Sequence, residues 1–211
     1  MILVFDFDGT IHNTEIAYKK AITESLTELG LSIDDFDFKS FIGMGPKDVW
    51  DIILKDDSDK SAYIKKNGDR IIKYMKEEGE LYEGAFDTLS YLKEKYTLYI
   101  LSKCRSVYMK AAREKFGLDR YFSKYFIGED YDFLDKYKIL RQEINEPYII
   151  IGDRKEDMEA GLKNKQKPIF ASYGYGTDDE AKGVNIKISS LKELKDILWK
   201  FPARISCRIF Y

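Results

Sequence analysis

The sequence of 211 residues predicts a doubly wound α/β fold that carries an inserted helical subdomain. Two observations support this prediction. Short, continuous apolar runs alternate along the chain with segments of helical periodicity, and residues 13–82 interrupt that alternation with helical patterns only. Alternating strands and helices are typical of a parallel sheet that is covered by helices on both faces.

Five apolar segments are predicted to be strands. Each is continuous rather than alternating, which is typical of strands that are buried on both faces of a parallel sheet. The predicted strands are Ile2–Phe5, Leu98–Leu101, Tyr125–Ile127, Tyr148–Ile151 and Pro168–Ala171. The segments between them carry apolar residues at helical spacing. The helices predicted there are Gly84–Lys95, Ser106–Phe116, Tyr137–Ile144 and Lys155–Asn164.

The region between the first two strands shows helical patterns and no convincing strand. The patterns cover Ala17–Leu29, Pro46–Leu54 and Ala62–Met75. A structureless loop of this length is implausible in a compact domain. We therefore predict a core formed by residues 1–13 and 83–211, with residues 14–82 as an inserted helical cap.

The composition is that of an ordinary globular protein, with 44% hydrophobic and 34% charged residues. Thirty-five Lys and Arg nearly balance thirty-seven Asp and Glu, and a net charge of −2 gives no argument for a nucleic acid or membrane partner. Two cysteines, Cys104 and Cys207, make neither a disulfide framework nor a metal cluster. No stretch approaches the ~20 apolar residues of a membrane span. We expect a cytoplasmic protein.

Polar groups follow three of the predicted strands at the point where each strand ends. These groups are Asp6, Asp8, Ser102, Lys103, Asp153 and Asp157. Because the carboxyl ends of parallel strands meet at one edge of a sheet, we expect these side chains to converge there. Four carboxylates near one point would repel one another unless a cation lies among them. Oxygen-only ligation of this kind is typical of Mg²⁺, which the sequence therefore predicts as cofactor.

Carboxylates, a divalent cation and a lysine are the groups that phosphoryl transfer requires. One carboxylate can attack phosphorus to form an aspartyl-phosphate. A second can protonate the leaving alkoxide and then activate water. The cation and a fixed ammonium offset charge on the transferring group. Gly9 permits a turn after the first strand, and Thr10 can cap the segment beyond that turn.

Four segments resemble the motifs of the haloacid dehalogenase superfamily: DFDGT (6–10), LSK (101–103), DKYKIL (135–140) and GDRKED (152–157). GYGT (174–177) and the segment 82–102 resemble the phosphoglycolate phosphatase-like branch of that superfamily. The resemblance covers the chain from Met1 to about Leu198. It implies a Rossmann-like core with a helical cap, Mg²⁺ dependence and hydrolysis of a small phosphomonoester.

The resemblance also implies a role for each matching residue. Asp6 matches the nucleophile, and Asp8 matches the general acid and base, with its backbone carbonyl on Mg²⁺. Ser102 matches the phosphate-binding hydroxyl. Asp153 matches the acidic metal ligand, and Asp157 matches the residue that supports the metal directly or through water. The predicted metal ligands are therefore Asp6, Asp8, Asp153 and Asp157.

The catalytic lysine is less clearly marked, because the Lys-Pro pair usual in the family is missing. Lys136 fits best, since Ile139 and Leu140 follow it at the usual helical offset. Lys138 is the alternative. After Ser102 the family usually has Asn, and this chain has Lys103, which adds a cation near the phosphate.

The predicted substrate contacts are Gly9, Thr10, Lys103 and Lys47. Lys47 lies in the segment Phe41–Trp50, which resembles the substrate-specificity loop of the cap and has Pro46 at a predicted helix start. An ordinary turn with a solvated Lys47 is an equal alternative. His12, the only histidine, is either an ordinary residue or a contact at the cap opening.

The predicted function is Mg²⁺-dependent hydrolysis of a phosphoglycolate-like or sugar phosphate ester through an aspartyl-phosphate. A phosphosugar mutase on the same scaffold would use the same motifs. A haloacid dehalogenase would not need Asp8 as leaving-group acid. A non-enzymatic regulatory module would not require the intact set of carboxylates. The sequence does not distinguish nucleotides, sugar phosphates and pyrophosphate as substrates.

Overall fold

A six-stranded parallel sheet lies at the centre of the computed structural model, which describes residues 1–56 and 59–200. The strands, in chain order, are β1 (Ile2–Phe5), β2 (His12–Asn13), β3 (Glu80–Leu81), β4 (Thr97–Ser102), β5 (Lys124–Ile127), β6 (Tyr148–Gly152), β7 (Lys167–Ala171) and β8 (Lys187–Ile188). The order across the large sheet is β5-β4-β1-β6-β7-β8, and every neighbouring pair is parallel. The predicted α/β fold is confirmed.

Helices cover both faces of the sheet. They are α5 (Ala85–Lys93), α6 (Ser106–Phe116), α7 (Lys136–Glu143), α8 (Lys155–Lys163) and α9 (Leu194–Ile197). Leu3 and Phe5 of β1 belong to the apolar cluster that includes α5, α6 and α9, whereas Ile2 and Val4 belong to the cluster with α7 and α8. Alternate residues of β1 therefore enter opposite cores, and each buried side chain contributes roughly 1.5–3 kcal/mol. This double burial explains the continuous apolar run.

The described residues between β2 and β3 form four α-helices and no strand. These helices are α1 (Glu15–Glu28), α2 (Phe38–Phe41), α3 (Pro46–Leu54) and α4 (Ser61–Glu78). They have an apolar cluster of their own, which includes Ile22, Leu26 and Trp50. The sequence predicts α1, α3 and α4, but α2 has only four residues and shows no periodicity. The division into a core and a cap at residues 14–82 stays a prediction.

A two-stranded antiparallel ribbon joins the helical insert to the sheet. β2 and β3 form it, with His12 opposite Leu81. Each strand has two residues, too few to leave an alternating pattern in the sequence. The ribbon lies close to the predicted boundaries of the insert, so the chain leaves and re-enters the core side by side.

No helix in the described part of the chain combines the length and apolar character that a membrane span requires. The residues after Lys200, which include Cys207, lie outside the described residues, as does the end of the predicted core.

Candidate active site

The three central strands of the sheet bring the predicted catalytic groups to one edge. β1 lies between β4 and β6. Asp6 follows β1, Ser102 ends β4 and Asp153 follows β6. The backbone N–H of Asp6 donates to the carbonyl of Ile151 at 2.8 Å, which continues the pairing of β1 with β6 by one residue. The site is therefore held by adjacent strands of a buried sheet.

Lys136 is the cation at the centre of this edge. Its Nζ lies 2.8 Å from Asp6 Oδ1 and 2.7 Å from Asp157 Oδ1, and its side chain is 5% exposed. Burial alone would lower the pKa of Lys136, but the charges of Asp157 and Asp6 raise it above its usual value. Lys138 instead pairs with Asp135 at 2.8 Å, with its side chain 47% exposed. Of the two lysines left open by the sequence, the structure brings Lys136 to Asp6.

Three buried carboxylates form a group that could hold a metal ion. Asp6, Asp153 and Asp157 each offer one oxygen, and these oxygens lie within 4.8 Å of one another. Burial raises the pKa of Asp157 to about 7, opposed by Lys136 and reinforced by Asp6. Burial and the charge of Asp157 raise the pKa of Asp153, and burial raises that of Asp6. One ammonium thus faces three carboxylates, and the remaining negative charge and oxygen-only donor set fit Mg²⁺.

The segment after β1 packs directly against Asp153. Gly9 has φ +82°, and a Cβ at this position would overlap the Asp153 carboxylate. Thr10 Oγ1 donates to Asp153 Oδ1 at 3.1 Å, and the backbone N–H of Tyr175 donates to Oδ2 at 2.8 Å. Gly9 and Thr10 are predicted as substrate contacts, yet in the structure they contact Asp153, and Thr10 is fully buried. Their observed contacts orient this carboxylate.

Asp8 is held by side chains that sequence reasoning missed. Its Oδ1 accepts hydrogen bonds from Tyr108 Oη at 2.5 Å and Thr14 Oγ1 at 2.7 Å, and His12 Nδ1 lies 3.1 Å away. Burial alone would raise the pKa of Asp8, but the hydrogen bond and charge of His12, with the two hydroxyls, lower it below its usual value. His12 is fully buried and stacks on Phe7, so it lies behind Asp8 rather than at the cap opening.

A cavity of about 440 Å³ lies between this edge of the sheet and the helical insert. Asp6, Asp8, Ser102 and Lys136 line it from the core side. The insert lines it from the opposite side with Phe41, Ile42, Met44, Ile71 and Ile72, among others. A molecule in this cavity would contact the acidic groups and the insert at the same time.

Two further lysines, Lys103 and Lys47, are predicted to contact substrate, and the structure places only Lys103 in the lining of the cavity. Lys103 lines the cavity, where its Nζ lies 2.7 Å from Glu156 Oε1. Lys47 does not line the cavity. It is 77% exposed and pairs with Asp51 one helical turn later at 2.5 Å. At the start of α3 the Lys47 side chain therefore points to solvent outside the cavity, and its contact with substrate stays a prediction.

Residues 3–171 match the family model described as haloacid dehalogenase-like hydrolase. A crystal structure of a predicted phosphatase from Clostridium acetobutylicum is similar over 94% of this chain and 98% of that chain, with 25% identity and a TM-score of 0.77.

Two further solved structures are similar at lower identity. YfnB from Bacillus subtilis, described as a HAD-hydrolase bound to magnesium, matches over 93% of this chain and 97% of its own, with 21% identity and a TM-score of 0.74. A predicted phosphoglycolate phosphatase from Haemophilus somnus matches over 93% and 96%, with 18% identity and a TM-score of 0.75. Since the family model covers most of the sequence, the chain belongs to the haloacid dehalogenase-like hydrolases and is an enzyme of the phosphatase type.

Proposed function

We propose that this protein is a Mg²⁺-dependent phosphatase that hydrolyses a small phosphomonoester through an aspartyl-phosphate on Asp6. The observation that carries the proposal is the buried cluster around Lys136, whose Nζ lies 2.8 Å from Asp6 and 2.7 Å from Asp157. A protonated lysine beside a carboxylate at the floor of a cavity provides a nucleophile together with a charge that offsets a phosphoryl group.

Asp6 attacks the phosphorus of the bound ester, and the bond from phosphorus to the alcohol oxygen breaks. Lys136 and the Ser102 hydroxyl bind phosphoryl oxygens during this step. Asp8 donates a proton to the departing alkoxide and then takes one from the water that attacks phosphorus, which releases phosphate and restores Asp6. A bound phosphate dianion raises the proton affinity of Asp8 relative to the free protein, because like charges favour the protonated carboxyl group.

The carboxylates of Asp6, Asp153 and Asp157, with the backbone carbonyl of Asp8, are the groups that would hold Mg²⁺. When bound, the ion would offset negative charge on the phosphoryl oxygens. The excess of carboxylates over ammonium groups in the cluster supports this assignment. The magnesium in the Bacillus subtilis relative supports it as well.

We further propose that residues 14–82 act as a cap over the core formed by residues 1–13 and 83–211. Both parts line the cavity. Arg154, at the start of α8 in the core, donates from Nη1 to the carbonyl of Ile42 in the insert at 2.5 Å. A cap in this position would exclude water while Asp6 attacks the ester. We take the substrate to be a small molecule of the cytoplasm.

The test is phosphate release from 4-nitrophenyl phosphate in the presence of Mg²⁺. Asp6→Asn should lower kcat by about 10³-fold or more, as expected when a nucleophile is removed. Asp69→Asn, at an exposed carboxylate that pairs with Lys65 on α4, is the matched control and should retain activity. EDTA should abolish turnover, and added Mg²⁺ should restore it. Full activity of Asp6→Asn would overturn the assignment of the nucleophile.

A further inference from the structure

We infer that the alcohol part of the substrate is uncharged and largely apolar, unlike the carboxylate-bearing alcohol of phosphoglycolate. This inference rests on the proposed phosphatase function, since it concerns the group that leaves when Asp6 attacks. It follows from the side chains that the insert presents to the cavity, opposite the acidic cluster.

The insert offers an apolar surface to the leaving group. Its side chains in the cavity lining include Tyr18, Phe41, Ile42, Met44, Ile71 and Ile72. Among the described residues of the insert that line the cavity, none is a lysine, arginine or histidine, and Asp48 is the one charged side chain. A substrate carboxylate on this side would lose its hydration, would find no cation from the insert, and would lie in the same cavity as Asp48.

The basic side chains that do line the cavity come from the core, and each already lies against a carboxylate. The pairs are Lys103 with Glu156 at 2.7 Å, Arg105 with Glu129 at 3.4 Å, Lys136 with Asp6 at 2.8 Å, Arg154 with Glu180 at 3.1 Å and Lys155 with Glu159 at 3.7 Å. A carboxylate on the substrate would have to break one of these pairs. The lining therefore favours a leaving group without charge.

The size of the cavity agrees with an alcohol that fills an apolar space. About 440 Å³ lies within the range of ~300–1,000 Å³ that is typical of small-ligand sites. Gly43 and Gly68 of the insert also line it, and the side chains of Arg154 and Arg105 from the core lie against these two glycines. The Tyr18 hydroxyl is a neutral polar group on the same side, suited to an uncharged hydroxylated alcohol.

Two pairs of esters test the inference, because the members of each pair differ in a carboxylate. The first pair is 2-hydroxyethyl phosphate and 2-phosphoglycolate, and the second is phenyl phosphate and 4-carboxyphenyl phosphate. With Mg²⁺, kcat/KM should favour the neutral member of each pair by roughly tenfold or more. An equal or higher value for the carboxylate in either pair would overturn the inference but leave the phosphatase proposal intact. No turnover of any ester would overturn both.

A change in the roof of the cavity provides a second test. Ile72→Lys adds a cation to the apolar side of the lining, and Ile72→Met is the matched neutral control. Ile72→Lys should shift the ratio of kcat/KM for phosphoglycolate over hydroxyethyl phosphate about tenfold toward phosphoglycolate. Ile72→Met should leave that ratio unchanged.

Of the two arginines in the lining, Arg105 has the longer ion pair, at 3.4 Å from Glu129, and is the more open to rearrangement toward a substrate anion. If it served as an anchor for a carboxylate, Arg105→Gln would selectively lower the kcat/KM of phosphoglycolate, which would overturn the inference. We expect Arg105→Gln to change kcat/KM by a similar factor for both members of each ester pair. Calorimetry can measure the binding of the same esters to the Asp6→Asn variant, which separates recognition of the alcohol from turnover. The neutral member of each pair should have the lower Kd.

Discussion

The metal-free protein should lose stability as the pH rises from about 4 to about 7. Burial raises the folded-state pKa of Asp157 from 3.8 to about 7, whereas the unfolded chain keeps the ordinary value. The folded protein therefore binds more protons than the unfolded chain in this window, and its free energy of unfolding falls as the proton is lost. About 3 pKa units at ~1.4 kcal/mol each give about 4 kcal/mol for Asp157 alone.

Mg²⁺ should remove most of this loss, because it replaces the proton as the positive charge among the carboxylates. Between pH 5 and pH 8 about 2 of these 3 pKa units apply, so about 3 kcal/mol is lost, which corresponds to roughly 6–12 °C in Tm for a chain of this size. Thermal unfolding is to be measured at pH 5 and pH 8, each with EDTA and with Mg²⁺. The gain in Tm from Mg²⁺ should be much larger at pH 8 than at pH 5, where protons compete for the same oxygens.

Exposed carboxylates do not obscure this measurement. Hydrogen bonds from Arg70 and Lys66 lower the pKa of Glu28 to about 2, so this carboxylate stabilises the folded protein above about pH 5 and loses that contribution only as the pH falls below that value. Asp69→Asn, which removes an exposed charge, should show the same pattern as the unaltered protein. If the EDTA-treated protein were as stable at pH 8 as at pH 5, and Mg²⁺ had no effect at either, the reasoning about the buried cluster would be wrong.

Two further predictions concern single substitutions at Gly9 and Lys136, each compared with a control substitution elsewhere in the chain. Gly9→Ala should lower the free energy of unfolding by ~1–2 kcal/mol through backbone strain. It should also displace Asp153, so Mg²⁺-dependent activity should fall sharply. Gly30 has φ +72° and nothing within 4 Å, so Gly30→Ala is the control and should lower stability by a similar amount without changing activity. Lys136→Met should lower kcat by about 10²–10³-fold, whereas Lys138→Met should leave kcat and KM unchanged in the same assay.

The central strands could be predicted because their burial leaves a clear pattern in the sequence. Alternate residues of β1 enter two different cores, so no polar residue interrupts the run Ile2–Phe5. The carboxylates that follow β1 and β6 could also be predicted, because charged side chains directly after a buried apolar strand indicate a site that binds a cation. β2, β3 and β8 have two residues each and carry no such pattern.

The surroundings of Asp8 and the direction of Lys47 could not be read from the sequence. Tyr108 lies 100 residues from Asp8 and meets it only because α6 follows β4, the neighbour of β1. Lys47 lies at the start of α3, and one turn of that helix places Asp51 within reach on the solvent side. Contacts between distant elements and the rotation of a helix about its axis leave no local signal.

In the proposed function, the core carries out the reaction and the helical insert determines which ester binds. Asp6, Ser102 and Asp153 lie at the ends of adjacent strands and share one rigid sheet, so their mutual positions do not depend on which alcohol is bound. Ile71 and Ile72 of the insert line the opposite side of the cavity, where the proposed function places the alcohol rather than the phosphoryl group. Substitutions in the insert that add a charge should therefore change the preference between charged and neutral esters, whereas substitutions at the strand ends should lower the rate with every ester alike.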